Sequence, residues 1–318
     1  MKTNKKAPLD EMVQLSQAMG FYDTPEMKIV RVLDSGYVQL IDHMGNDSRV
    51  AQSARVSYAA GTKSISDDEN LIRYLMRNSH TSPFEMVTFT FRVRLPIFVS
   101  NQWVRHRTWS FNQISGRYSQ MEDAYYVPEL DKVTKQNPHN KQGGTDEGVV
   151  YPGGDVFGEH TFDLMSEGDS KYAKDWRELF EREQEAIRTT YEQMLDCGMR
   201  RELARINLPL AQYTEMYATV DLHNLFHFLK LRLDDHAQYE IRVYAEAILK
   251  LISDVVPISV EAFKEYTLNS IKLNGKDIQG LQMLLGGNSN IEEIALNLFS
   301  NKRERKEFID KMNKLINA

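Results

Sequence analysis

The chain has 318 residues, 42% of them hydrophobic and 26% charged, with a formal net charge of −6. That is ordinary globular composition with ample length for a sizeable core, and it offers no global attraction to nucleic acid or to anionic membranes, so any phosphate site must be a local cluster of Arg and Lys. A single cysteine, Cys197, excludes an intrachain disulfide framework and any multi-cysteine metal site.

The opening MKTNKKAPLDEMVQ carries basic residues without an apolar core, so no secretory signal is expected, and residues 1–26 read as an N-terminal arm. No run of about 18 apolar residues occurs, so no membrane span is expected and a cytoplasmic protein is. MKIVRVLD and YVQLIDHM predict a hairpin turned at Asp34-Ser35-Gly36. Asp47 to Ser57 predicts a helix with Asp47 as its N-cap, and Asp68 to Asn78 predicts a second. Val87, Phe89, Phe91 and Val93 alternate with Thr88, Thr90 and Arg92, the pattern of a half-buried strand with one polar face, ended by Pro96. IFVSNQWVRHR then reads as a helix whose C-terminal end delivers the arginines.

From Pro128 to Lys171 the texture turns to Gly, Asn, Gln and charge, as in a surface excursion partly ordered by Tyr151, Phe157 and Phe162. Tyr172, Trp176, Leu179, Phe180, Ile187, Tyr191, Met194 and Leu195 predict a long amphipathic helix with Gly198 as its C′ residue. A short helix over Arg200 to Asn207 stops near Pro209, and Tyr213 to Val220 reads as a strand. Asp221 then N-caps a helix through Leu231, and His236 to Val255 predicts another, with a shorter one after Pro257. Two or three short helices joined by GGNSN fill the tail from about 270 to 318. The expected fold class is α+β, a mixed sheet with long helices: a strand-rich front, a helical back half and a helical C-terminal extension.

The densest chemical constellation is WVRHRTWSFNQISGRYSQ, residues 103–120. Three arginines in so short a span repel one another unless anions separate them. Arginine forks suit phosphate oxygens and planar carbonyls, and hydroxyls with backbone N–H groups near Gly116 can complete an anion cradle. As a pattern of charge alone, a solvated cationic loop fits equally well.

Arg105-His106-Arg107 followed by seven residues and Ser115 resembles the signature of the flavin-dependent thymidylate synthases. HTSPFE at 80–85, PIFVSNQW at 96–103, SGRY at 115–118, RELARINLPL at 201–210 and LRLDDHAQYEIR at 231–242 resemble the same family, in its order. The resemblance implies a catalytic domain over 27–269 with an insertion at about 129–171, outside which lie the arm and the 270–318 extension. It implies reductive methylation of dUMP to dTMP, with methylenetetrahydrofolate giving the carbon and NADPH reducing a bound FAD, in a homotetramer whose sites are shared between subunits. By the same resemblance Arg105, His106, Arg107, Asp221, Leu222, His223 and His227 hold FAD, with Ser82 reaching it from a neighbouring subunit. Gln102, Arg105, Gln113, Ser115, Gly116 and Arg117 face the nucleotide, Gln113 touching the cofactor too. Arg205 binds the phosphate or sugar end, and Arg232 polarises the uracil as the catalytic residue. Gln113 stands where many members carry Glu, and His227 where some carry Asn.

Methylating uracil C5 usually needs a cysteine nucleophile. Cys197 has no His beside it in sequence and reads as a small semi-buried side chain ending a helix. Reduced flavin makes such a thiol unnecessary. No Gly-x-Gly-x-x-Gly follows a strand, so no Rossmann unit is expected to hold the FAD. Three alternatives stand beside this reading. His223 and His227, four apart and followed by Asp234, Asp235 and His236, resemble a metal pair, but Asn224 stands where a zinc protease places its Glu base. A nucleic-acid module using the arginine cluster and the run Lys302-Arg303-Glu304-Arg305-Lys306 is opposed by the acidic balance; that run fits a solvated helix face, with Leu298, Phe299, Phe308, Ile309, Met312 and Leu315 packing on the body or on another subunit. Within the family, the scaffold could act on a modified pyrimidine nucleotide or transfer a hydroxymethyl group.

Overall fold

The computed structural model describes residues 28–56, 65–138, 143–151, 175–287 and 290–317. The readings for the N-terminal arm and for Phe157, Phe162 and Tyr172 lie outside the described residues. The hairpin is present: β1 (Ile29–Val32) pairs antiparallel with β2 (Gly36–Met44). Helices α1 (Asp47–Arg55) and α2 (Ile65–Arg77) follow, then a 3₁₀ turn, Ser82–Met86. The N-cap of α1 is Asn46, which accepts from Ser48 N at 3.1 Å, and not Asp47. Asp47 is buried and caps a different helix: it accepts from the backbone N–H groups of Ile258 and Ser259 at 2.8 and 3.1 Å. Sequence reasoning sees local caps only, and this one spans 211 positions.

Strand β3 (Thr88–Pro96) leads into α3 (Ile97–Trp103), and β4 (Ser110–Gln113) follows. Helix α3 stops at Trp103, so the arginines sit in a turn beyond it and not in its last turn. The excursion contains a small antiparallel ladder, β5 (Thr134–Gln136) with β6 (Gly144–Gly148), and Tyr151 meets Trp176 edge-on at 5.0 Å. Helix α4 (Trp176–Asp196) ends as expected. Gly198 has φ of 80°, its N–H bonds Leu195 O, and Met199 N–H bonds Met194 O, a Schellman closure. After α5 (Arg201–Ala204) come β7 (Tyr213–Asp221), α6 (Leu222–Arg232), α7 (Tyr239–Ser253) and α8 (Pro257–Phe263). The main sheet has the order β1-β2-β3-β7-β4; the fold is α+β as expected, but every neighbour is antiparallel where a mixed sheet was expected, since no crossover returns a strand parallel to its neighbour.

One face of β3 and β7 is apolar, with Phe89, Phe91, Val93, Leu95, Met216 and Ala218 fully or almost fully buried. The alternate face of β3 is polar, as its pattern predicts, yet it too is largely covered. Arg92 and Arg94 are 6% and 8% exposed, tolerated because Glu215 and Glu122 lie 2.6 and 2.7 Å from their guanidinium groups.

The chain divides into two compact units, Met1–Phe263 and Lys264–Ala318. The second contains α9 (Gly275–Leu285), α10 (Ile291–Leu298) and α11 (Lys302–Ile316), with α9 started by an Asn274–Asp277 capping box. Ile294, Ala295, Phe299, Phe308 and Met312 form a core within it. Of the tail's apolar stripe, Phe299, Phe308 and Met312 are core residues of this unit, Leu298 and Ile309 pack against them, and Leu315 is exposed. Among the described residues no helix is long and apolar enough to cross a membrane.

Candidate active site

The arginine turn is held from below by aromatic packing. Trp103 stacks on Phe228 of α6 at 4.8 Å, and Trp109 meets both Phe228 and Trp103 edge-on at 5.2 and 5.5 Å. Backbone bonds from Val104 N to Ser100 O and from His106 N to Trp103 O tighten the turn. This geometry directs His106 inward and leaves Arg105 and Arg107 exposed on either side. Neither of these two arginines has an acidic partner among the described residues, unlike Arg92, Arg94, Arg177 and Arg188 elsewhere. Two unpaired guanidinium groups flanking a fixed turn suit an anion.

His106 is 8% exposed and rests on Phe228 at 4.9 Å. Its Nε2 accepts the Nε–H of Arg232 at 3.0 Å, which places the imidazole proton on Nδ1. Burial, then the charge of Arg232 and then His227, lower its pKa to about 4, so the ring is neutral. Arg232 is the last residue of α6 and also reaches Gln102 O at 3.4 Å. Burial lowers its pKa too, the mark of a partly desolvated cation, whose field is stronger than it would be in water. The catalytic candidate and the centre of the arginine turn, 126 positions apart, are thus in direct contact.

The nucleotide-side candidates gather at the end of β4. Ser115 Oγ accepts from Arg117 N at 3.3 Å, and Arg117 pairs with Glu202 at 3.2 Å. A side chain at Gly116 would stand 2.9 Å from both Arg205 Cδ and Met121 Sδ, so the missing Cβ lets Arg205 lie against this backbone. Arg205 is exposed, again with no acidic partner among the described residues. Gln102 Nε2 donates to Gln238 Oε1, and the Gln113 amide bonds Ser100 and Thr214.

The remaining candidates line α6 and the turn beside it. Asp221 N-caps α6, accepting from Asn224 N at 2.9 Å, and its other oxygen takes the Asn224 amide at 2.6 Å. Leu222 is fully buried and its N–H bonds Val87 O at 2.8 Å, so it contributes by packing. His223 is half-buried and His227 exposed, the latter 6.2 Å from His106 between ring centres. Ser82 is exposed at the start of its turn, whose Phe84 packs on Phe226 of α6 at 6.2 Å. Among the described residues no three His, Cys, Asp or Glu side chains gather as a metal site requires, so the His223–His227 pair lacks the rest of a ligand set. Cys197 is exposed at the end of α4, not semi-buried, because the Schellman closure turns the chain at the surface.

Sequence reasoning missed Ser100, Thr214, Phe228 and Gln238 as supports of the site. Ser100 lies inside the PIFVSNQW block, but nothing in sequence pairs it with a residue of another element.

The residues present fit a flavin dinucleotide: exposed arginines without acidic partners for its phosphates, and a neutral imidazole beside a half-buried guanidinium for a polar ring edge. A family model described as thymidylate synthase complementing protein matches residues 39–258. A flavin-dependent thymidylate synthase from Treponema denticola is 44% identical over 276 residues, covering 86% of this chain and 97% of that protein. One from Ehrlichia ruminantium (strain Gardel) is 44% identical over 281 residues, covering 88% and 86%. Among solved structures, a UMP/dUMP methylase, PolB, from Streptomyces cacaoi bound with 5-Br dUMP is similar with a TM-score of 0.59 and 30% identity, over 75% of this chain and 98% of that one.

Proposed function

Because the chain belongs to the flavin-dependent thymidylate synthase family, we propose that it converts dUMP to dTMP by reductive methylation. The observation that carries this reading is the direct Arg232–His106 contact, which brings the uracil-polarising candidate onto the arginine turn. The reading assigns the chemistry to residues 27–269 and none to the 270–318 extension.

Arg105 and Arg107 would hold the phosphates of FAD, with His106, Asp221, Leu222, His223 and His227 along its rings and Ser82 contributed by a neighbouring subunit of a homotetramer. Ser115, Gly116, Arg117 and Arg205 would hold dUMP, Arg205 at its phosphate or sugar end; Gln102 would face dUMP and Arg105 would border both ligands. Arg232 is pinned at Nε by His106 and donates from Nη2 to Gln102 O, so its other Nη N–H groups are the ones left to face a uracil carbonyl. A guanidinium there stabilises negative charge on the pyrimidine as electron density shifts toward C5, and its partial desolvation strengthens that effect. His106, neutral, accepts from Arg232 without adding a competing positive charge. When bound, FAD reduced by NADPH would supply the hydride that turns the methylene carried by methylenetetrahydrofolate into a methyl group. No thiol is assigned a part, in keeping with the exposed, helix-end position of Cys197. A free exposed thiol also supports a cytoplasmic site of action. The names of the relatives at about 44% identity favour this activity over a hydroxymethyl transfer or a modified pyrimidine.

The test is an absorbance spectrum of the pure protein followed by anaerobic NADPH reduction with and without dUMP. Flavin bands whose bleaching rate depends on dUMP are expected. Stoichiometric zinc without flavin absorbance would overturn the assignment.

A further inference from the structure

Gln113, the position where many family members carry Glu, is itself exposed, yet its amide reaches two buried hydroxyls. Ser100 Oγ donates to its Oε1 at 3.1 Å, and its Nε2 donates to Thr214 Oγ1 at 3.2 Å. Ser100 and Thr214 are 2% and 4% exposed, so water is a poor substitute partner for either hydroxyl. The three residues belong to three elements. Ser100 lies in α3, which ends at Trp103 just before the arginine turn; Gln113 ends β4, which leads into Ser115–Arg117; Thr214 lies in β7, the strand paired with β4 through Met216 opposite Gln113.

We propose that Gln113 is a positioning residue whose amide clasps the nucleotide-binding end of β4 to the helix that carries the flavin-binding arginine turn, using Ser100 and Thr214 as its two anchors. This rests on the functional reading above and deepens it. An amide matches the anchors because it offers one acceptor and one donor side. A carboxylate offers acceptors only, so the Thr214 hydroxyl would have to reverse, and a charge would be placed against two buried hydroxyls. A protonated carboxyl again has one donor and one acceptor. The clasp therefore ties the geometry of the dUMP site to that of the flavin site through uncharged bonds.

The experiment measures dUMP affinity calorimetrically on the flavin-loaded protein for wild type, Gln113→Glu, Thr214→Val and the double variant, at about pH 8. Gln113→Glu is expected to weaken dUMP binding about tenfold, the worth of one displaced hydrogen bond. In the Thr214→Val background the same substitution should cost about threefold or less. Flavin affinity should fall alongside dUMP affinity, which a side chain contacting the nucleotide alone would not cause. An equal loss in both backgrounds, or an unchanged flavin affinity, would overturn the clasp. If Thr214→Val does not fold by circular dichroism, Ser100→Ala takes its place in the cycle with the same expectations. Wild-type protein that takes up neither flavin nor dUMP would overturn the functional reading itself, and the clasp with it.

Discussion

Acid should loosen this protein through one imidazole. His106 has its pKa lowered to about 4 in the folded chain, against 6.5 for an ordinary histidine. Between those values the unfolded chain binds the proton and the folded chain does not, so stability is full above 6.5 and falls as pH drops toward 4. The difference of about 2.5 pH units corresponds to about 3 kcal/mol in total, and about 2 kcal/mol of it is lost by pH 5. His106 is 8% exposed, so little of this is screened by solvent. The cause is structural: protonation removes the Nε2 lone pair that accepts from Arg232 and sets two cations 3.0 Å apart. Replacing His106 by Gln keeps an acceptor for Arg232 but removes the titration. Urea unfolding of wild type and His106→Gln, at matched protein concentration and at about pH 7 and about pH 5, reads the effect. The wild-type stability should fall by about 2 kcal/mol more than that of the variant over this interval. Parallel pH dependences would refute the assignment of a buried, neutral His106.

Arg232→Ala should lower dTMP formation about a hundredfold or more, the scale of losing one preorganised donor to developing charge; near-normal turnover would contradict its role. Gly116→Ala should raise the dUMP KM about tenfold with little change in melting temperature, because the added Cβ stands 2.9 Å from Arg205 Cδ and displaces that arginine; an unchanged KM would show that Arg205 is not placed by this backbone. Cys197→Ser should leave steady-state activity intact and shift stability by about 0.5 kcal/mol or less, since the side chain is exposed; complete loss of activity would restore a thiol to the chemistry.

Strands β1, β2, β3 and β7 were legible in the sequence because alternation and turn residues are local signals, whereas the short β4 was not. The β1–β2 hairpin, the apolar face of β3 and the Asp221 cap of α6 follow from them directly. What was not legible depends on partners far along the chain. Asp47 reads as a local cap and instead caps α8, and Arg92 reads as a solvated residue until Glu215 is brought beside it. The candidate site divides the same way. Its arginines and Ser115 stand out as a pattern, and the family resemblance supplies their expected roles. Physical spacing alone could not place Arg232 on His106, nor give Gln113 its anchors in Ser100 and Thr214.

The central claim, methylation driven by flavin hydride without a thiol, is tested most directly in a single anaerobic turnover. Flavin-loaded Cys197→Ser protein is reduced stoichiometrically, freed of excess reductant, and mixed with dUMP and methylenetetrahydrofolate. The account predicts one dTMP formed per flavin reoxidised. Formation of dTMP while the flavin stays reduced, or no dTMP from the cysteine-free protein when wild type makes it, would contradict the account.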